Sequence, residues 1–409
     1  MSEDPFDLET EYRSYILRKI ILILVMAACI VLVAGYALSQ NGFEGVGILE
    51  TYDYIFKHIT GYEFTDRIDR SCDYMIWNRY LPRVIMGIIV GAGLAICGVA
   101  MQSLMNNPLA DPYTVGISDG ACFGAVAAIV VGFSFSSLTS SMGIVVNAFI
   151  GGLIPALILI LLSRAVNLTP ATAILIGVAL SYIFSGMETV LMTSTDADTL
   201  KNAFLWQIGT LNGSTWDNCV IPAIFMVACS VFLMLSSRSL NLLALGDDSA
   251  KSLGLNVDQF RLLCMIVVSV TVAAMVSYVG IIGFVGLVVP HMIRMIVGGD
   301  AKFLIPASMV GGSLFILVAD LLSRVLIAPE ELRVGLIASI IGSPIFLYII
   351  VRRRRGYGEV FRWTGSLSKR SIVSTPPRRS SSLWPYSSCP QPSPSGRYSS
   401  LGSQASPRT

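Results

Sequence analysis

The feature that most restricts this chain is the recurrence of apolar runs about as long as a bilayer is thick. Ile20 to Leu38 is the first of them, and a membrane-crossing helix needs roughly 20 apolar residues. Further windows bounded by Pro, Gly or charge lie near 80–101, 113–133, 140–163, 169–192, 216–236, 259–281, 283–297, 303–327 and 334–352, which makes about ten spans. The eighth is short. Backbone polar groups in hydrocarbon must be satisfied within the chain, so these runs predict an all-α polytopic membrane protein. Only 13% of residues are charged and 54% are hydrophobic, whereas soluble domains carry about one quarter charged residues. The charged segment before Ile20 lacks the short apolar core and cleavage site of a signal peptide, so the first span is expected to be retained.

Charge distribution sets the expected sidedness. Ser39 to Asn78 holds seven acidic and three basic residues. Arg13, Arg18, Lys19, Arg164, Arg238, Lys251, Arg261, Lys302 and the run Arg352 to Arg355 all fall at ends that an even, N-in topology places inside. The positive-inside rule then puts both termini in the cytoplasm. Residues 1–19 read as a cytoplasmic N-terminal segment and 20–355 as the membrane domain. The Ser/Pro/Arg-rich stretch 356–409 reads as a cytoplasmic tail too poor in aliphatic residues to offset its ordering entropy. A net charge of +2 gives no reason to expect a nucleic-acid partner. The cysteines fall mostly in apolar runs without a CxxC pair, as core residues would, and no metal site is expected. Small residues at helical spacing, Gly87/Gly91 and Gly116/Gly120/Gly124, suit closely approaching helices.

No G-x-x-x-x-G-K-[ST] loop is present, so the chain is not expected to be an enzyme or to hydrolyse nucleotide. "GISDG", Gly116 to Gly120, fits G-x-S-x-G literally, with Ser118 as nucleophile and His291 in "VVPHMIR" as an imaginable base. That elbow needs a strand-to-helix turn, whereas here the pattern opens an apolar helix. His58 sits in the acidic exterior stretch. Glu188 and Asp320 lie near span ends, which weakens an ion-coupled relay. Asp320 and Arg324 are four apart on one helix face, where a local ion pair, an interfacial anchor and a docking role all fit. The rival readings are thus an ion-coupled secondary transporter and, remotely, an intramembrane serine protease.

Four stretches together sharpen the picture: "RYLPRVIMGIIVGAGLAICGVAMQSLMNNPLADPYTVGISDGACFGA", "LGDDSAKSLGLNV", "VGIIGFVGLVVPHMIRMIVGGD" and "ELRVGLIASIIGSPIFLYIIVRR". Their order resembles the permease subunits of ABC importers for iron-siderophores, haem and cobalamin, from about Ile20 to Arg355. The resemblance implies a homodimer that moves a chelated metal compound across the cytoplasmic membrane by alternating access. It also implies two cytoplasmic ATPase subunits using ATP and an extracytoplasmic substrate-binding protein, with no cofactor on this chain. The family's ATPase-coupling loop matches Gly246, Asp247, Asp248, Ala250, Lys251, Leu253 and Gly254. Arg83 and Arg324 match arginines that receive acidic residues of the binding protein. The usual Arg-Leu-Pro-Arg has Tyr80 in place of its first arginine, with Arg79 one residue earlier as a substitute. Arg333 stands where the family commonly has proline. Pathway or gate candidates are Asn107, Pro108, Asp111, Pro112, Gly116, Ser118, Pro290, His291 and Arg294. Asn107 and Asp111 fit either contacts to solute or ATPase, or caps of the adjoining helices.

Overall fold

The computed structural model describes residues 5–40, 46–133, 140–163, 169–327 and 330–351, all within the unit Met1–Val351. The tail, Arg164 and Arg352 to Arg355 lie outside the described residues. "Inner" and "outer" below denote the two sides assigned from charge.

The chain folds as α1 (Pro5–Ser39), α2 (Ile48–Ile59), α3 (Arg67–Met75), α4 (Leu81–Leu104), α5 (Ile117–Val131), α6 (Ser140–Ser163) and α7 (Pro170–Thr193). There follow α8 (Ala197–Gln207), α9 (Trp216–Leu235), α10 (Ser237–Leu243), α11 (Asp247–Ser252), α12 (Val257–Val279), α13 (Val285–Val297) and α14 (Ala301–Val325). The last described helix is α15 (Val334–Val351). Among the described residues there is no strand, and a single parallel bridge joins Ile208 to Ile281. Among the described residues eight helices are long and apolar enough to cross a membrane, with α5 and α13 as shorter apolar helices. Every apolar window named above is therefore a helix, and the all-α membrane class holds.

Several boundaries differ from expectation. The second window runs as one continuous helix from Arg67 to Leu104, because a π turn at Ile76–Tyr80 carries the chain through Pro82. Proline has no N–H and its ring crowds the carbonyl four residues back; widening the turn relieves that conflict. Of the carbonyls in this region, that of Trp77 accepts the indole N–H of Trp216 at 3.0 Å. The third span begins at Ile117 and not at 113. Pro112–Val115 forms a 3₁₀ turn, and Gly116, at φ +82, takes a left-handed conformation that suits glycine. His58 lies on helix α2, where its Nδ1 meets Asp73 at 2.8 Å and its ring stacks on Trp77. Pro290 and His291 lie inside α13.

α4 is the central helix. Its apolar window is 89% buried, against 17% for those of α1 and α7. Backbone-to-backbone packing makes this possible: a Cβ on Gly98 would fall on the carbonyl of Gly286, and one on Gly120 on that of Gly151. Such small-residue contacts let lipid-embedded helices approach closely. Of the seven described cysteines all but Cys29 are buried.

Candidate functional site

Three polar constellations interrupt the apolar bundle. At the outer end, Arg83 in the first turn of α4 sends Nε to Asp320 Oδ1 at 2.9 Å and Nη1 to Glu331 Oε2 at 2.8 Å. Arg324, one turn beyond Asp320 on α14, sends Nη2 to the other Asp320 oxygen at 2.7 Å and Nη1 to the carbonyl of Ala37 at 2.9 Å. Asp320 is fully buried, and the two arginines are nearly so. Tyr80, the departure from the family pattern, lays its ring 5.9 Å from the Arg324 guanidinium. This cluster ties the outer ends of α1, α4 and α14 together. Arg79 is exposed. Arg333 donates to the carbonyl of Ile208 at 3.4 Å.

At the inner end, Gly246 and Gly254, both at positive φ, bracket α11. The helix is held inward by two residues. Ala250 is buried, and Asp247 receives Arg261 Nη2 at 2.8 Å and 3.0 Å. Arg261 is itself 2% exposed and its Nε donates to the carbonyl of Leu104, the last residue of α4, at 3.3 Å. Asp248, Lys251 and Leu253 face outward, and Lys251 pairs with Asp258 at 3.5 Å. The preceding α10 is fastened by Asn241, whose side chain bonds Asp300 and the N–H of Ala301 at 2.8 Å each. In the sequence, Arg261 stands out only as a positive-inside marker. Its apolar surroundings on α12 were the signal for a buried, partnered role.

The third constellation is the proline turn. Asn107 Oδ1 accepts the N–H of Leu109, and Asp111 Oδ1 accepts that of Tyr113, both at 3.0 Å. Both side chains therefore stabilise local turns. Pro108 is half-buried in this turn, and burial pushes the Asp111 carboxyl up to about 6. Pro112 packs on Gly286, and Thr114 on Gly177. Tyr113 Oη donates to the carbonyl of Ile282 at 3.2 Å. Ser118 and Ser181 both donate to Asp119, at 3.3 Å and 2.7 Å, and no strand precedes Ser118, so the nucleophile-elbow geometry is absent there. His291 is buried and Arg294 partly so on α13. Gln102, which sequence reading passed over, donates to the carbonyl of Leu287 at 3.1 Å beside the Pro290 interruption. Among the described residues no His/Cys/Asp/Glu group could hold a metal ion.

The signature of the FecCD transport family spans residues 42–352. The hemin transport system permease protein of Yersinia pestis is 40% identical over 280 residues, 68% of this chain and 84% of that protein. The cobalamin import system permease protein of Halobacterium salinarum is 38% identical over 284 residues, 69% of this chain and 75% of its own length. A solved structure described as an inward-facing conformation of a metal-chelate type ABC transporter superposes with a TM-score of 0.70 at 28% identity, over 81% of this chain and 98% of that one.

Proposed function

Because the chain belongs to the FecCD transport family, we propose that it is the membrane-spanning permease subunit of an ABC importer for a chelated metal compound in the cytoplasmic membrane. The observation that carries this reading is the inner segment. α11 presents exposed Asp248, Lys251 and Leu253 while Arg261 fastens its first residue to the inner end of the central helix. A short helix built this way suits insertion into a separate ATPase subunit, whose ATP-driven closure would be passed to α4 through Arg261. The chain itself supplies no nucleotide chemistry; its work is to bind, orient and alternately open.

A second copy of this chain would cover α7, whose apolar residues Leu175, Tyr182 and Val190 are 70%, 78% and 67% exposed, with solute passing between the copies. The likeness to an inward-facing structure supports alternating access. An external binding protein would dock over exposed Arg79 and the Arg83–Arg324 cluster. Relatives are named for hemin, cobalamin and Fe(3+)-citrate, and the solute of this chain falls within that class of chelates. The test is reconstitution of the full chain in liposomes with its ATPase and binding protein, followed by uptake of a panel of labelled chelates. ATP-dependent accumulation of one of them is the expected result. Accumulation driven by an ion gradient without the ATPase would sink the reading.

A further inference from the structure

The docking role given to Arg83 meets an obstacle within the chain. Its guanidinium already holds two carboxylates, and with Arg324 the cluster contains two positive and two negative groups. As folded, it offers an acidic partner no net charge. The two carboxylates differ sharply in setting. Asp320 is 1% exposed at the side chain and shared by both arginines, so its removal would strand buried charge. Glu331 is 32% exposed, sits on the segment before α15, and touches only Arg83 among the described ion pairs. It also lines an open cleft of about 380 Å³ with Thr210, Asn212, Gly213, Leu332 and Arg333.

We propose that Glu331 is an internal stand-in for a partner's carboxylate. An aspartate or glutamate of the acidic external protein enters through this cleft, takes over Arg83 Nη1 and displaces Glu331. The inference rests on the docking reading above and adds how docking is gated. Exchange of one carboxylate for another keeps Arg83 paired throughout, which avoids the penalty of an uncompensated buried guanidinium. Arg324 Nε is buried without an acceptor among the described residues, so the cluster has a further donor to offer. Exposed Arg79, four residues before Arg83, extends the attraction for an acidic face.

Displacement would reach the loops behind. Leu332 N–H donates to the carbonyl of Ser323 and Gly335 N–H to that of Gly209, both at 2.9 Å, and Gly209 N–H donates to Ile281 at 2.9 Å. Arg333 adds its bond to Ile208. Releasing Glu331 therefore frees one end of a segment laced to the outer ends of α8 and α12. The contact is autoinhibitory: the outer loops stay tied until an acidic partner arrives.

The experiment measures affinity of the transport system's binding protein for the full chain in lipid nanodiscs, comparing wild type with Glu331→Gln. Removing the internal competitor should tighten binding about tenfold while preserving the loop's shape. Glu331→Asp, which retains the charge on a shorter arm, should fall between the two and serves if the glutamine variant folds poorly. Unchanged or weaker affinity in both variants, with normal wild-type binding, overturns the stand-in role and leaves the docking reading intact. Failure of the binding protein to bind any of the three overturns both. Citrate serves as a small polycarboxylate probe; if Glu331→Gln tightens citrate binding and not protein binding, the cleft takes a small carboxylate and the proposal is wrong.

Discussion

Asp320 is the residue on which the outer end of the bundle turns. It accepts from Arg83 and from Arg324, and removing one partner from a buried ionic group leaves the others uncompensated, a loss of about 3–5 kcal/mol. Asp320→Asn is accordingly expected to lower the thermal unfolding midpoint sharply, read by intrinsic tryptophan fluorescence in nanodiscs; a shift of under a degree would contradict the clustered geometry. Asp111 gives a prediction of opposite sign. Its folded value, raised to about 6 by burial, means ionisation opposes folding, so the cost is absent below the ordinary carboxylate value and complete above about 6. Asp111→Asn keeps an acceptor for Tyr113 N–H and should stabilise the protein by about 1–2 kcal/mol at pH 7.5. The gain should shrink as pH falls through that window and vanish near pH 4. Of these roles, the i, i+4 pairing of Asp320 with Arg324 was legible from spacing, whereas Arg83 reaches Asp320 across 237 positions and has no local signal.

Among the elements, α11 and the continuous helix through Pro82 show what local pattern reveals. Gly246 and Gly254 marked the ends of α11 correctly, since positive-φ positions are a local requirement that glycine meets. What periodicity missed was that Asp247 turns inward to Arg261. Arg261→Met should leave insertion intact, because its apolar stem fills the same volume, yet reduce ATP-dependent uptake at least about tenfold with ATP hydrolysis retained. Uptake and hydrolysis falling together, or both staying at wild-type level, would count against α11 as the relay. α2, α3 and α8 escaped the apolar-window reading because they are short or polar and are held by tertiary contacts such as Tyr54 to Asp69 at 2.6 Å. Pro82 invited a helix boundary by the usual rule; a π turn and the distant Trp216 made a continuous helix instead.

The whole molecule presents a contrast between a closely packed central helix and a largely uncovered α7. In a membrane protein apolar exposure alone does not separate lipid from protein contact, because lipid tails are as apolar as leucine. The proposed homodimer therefore makes a direct claim. Tyr182, 78% exposed at mid-helix, would be covered by the partner, and Tyr182→Glu should convert a dimer into a monomer by light scattering of the detergent-solubilised chain. An unchanged mass would move the dimer face off α7.

The number, type and approximate limits of the apolar helices, the absence of a nucleotide loop and the family resemblance all followed from sequence alone. The reason is that transfer into hydrocarbon and backbone self-satisfaction act on contiguous residues, so they leave a contiguous signature. Only the tertiary structure decided that Arg83, Asp320, Arg324 and Glu331 form one neutral cluster, that Arg261 joins α11 to α4, and that the proline turn packs against Gly286 and Gly177. These pairings depend on helix order and crossing, which bring together groups far apart in the chain; burial then forces each charge to find a partner among whatever the crossing has placed beside it.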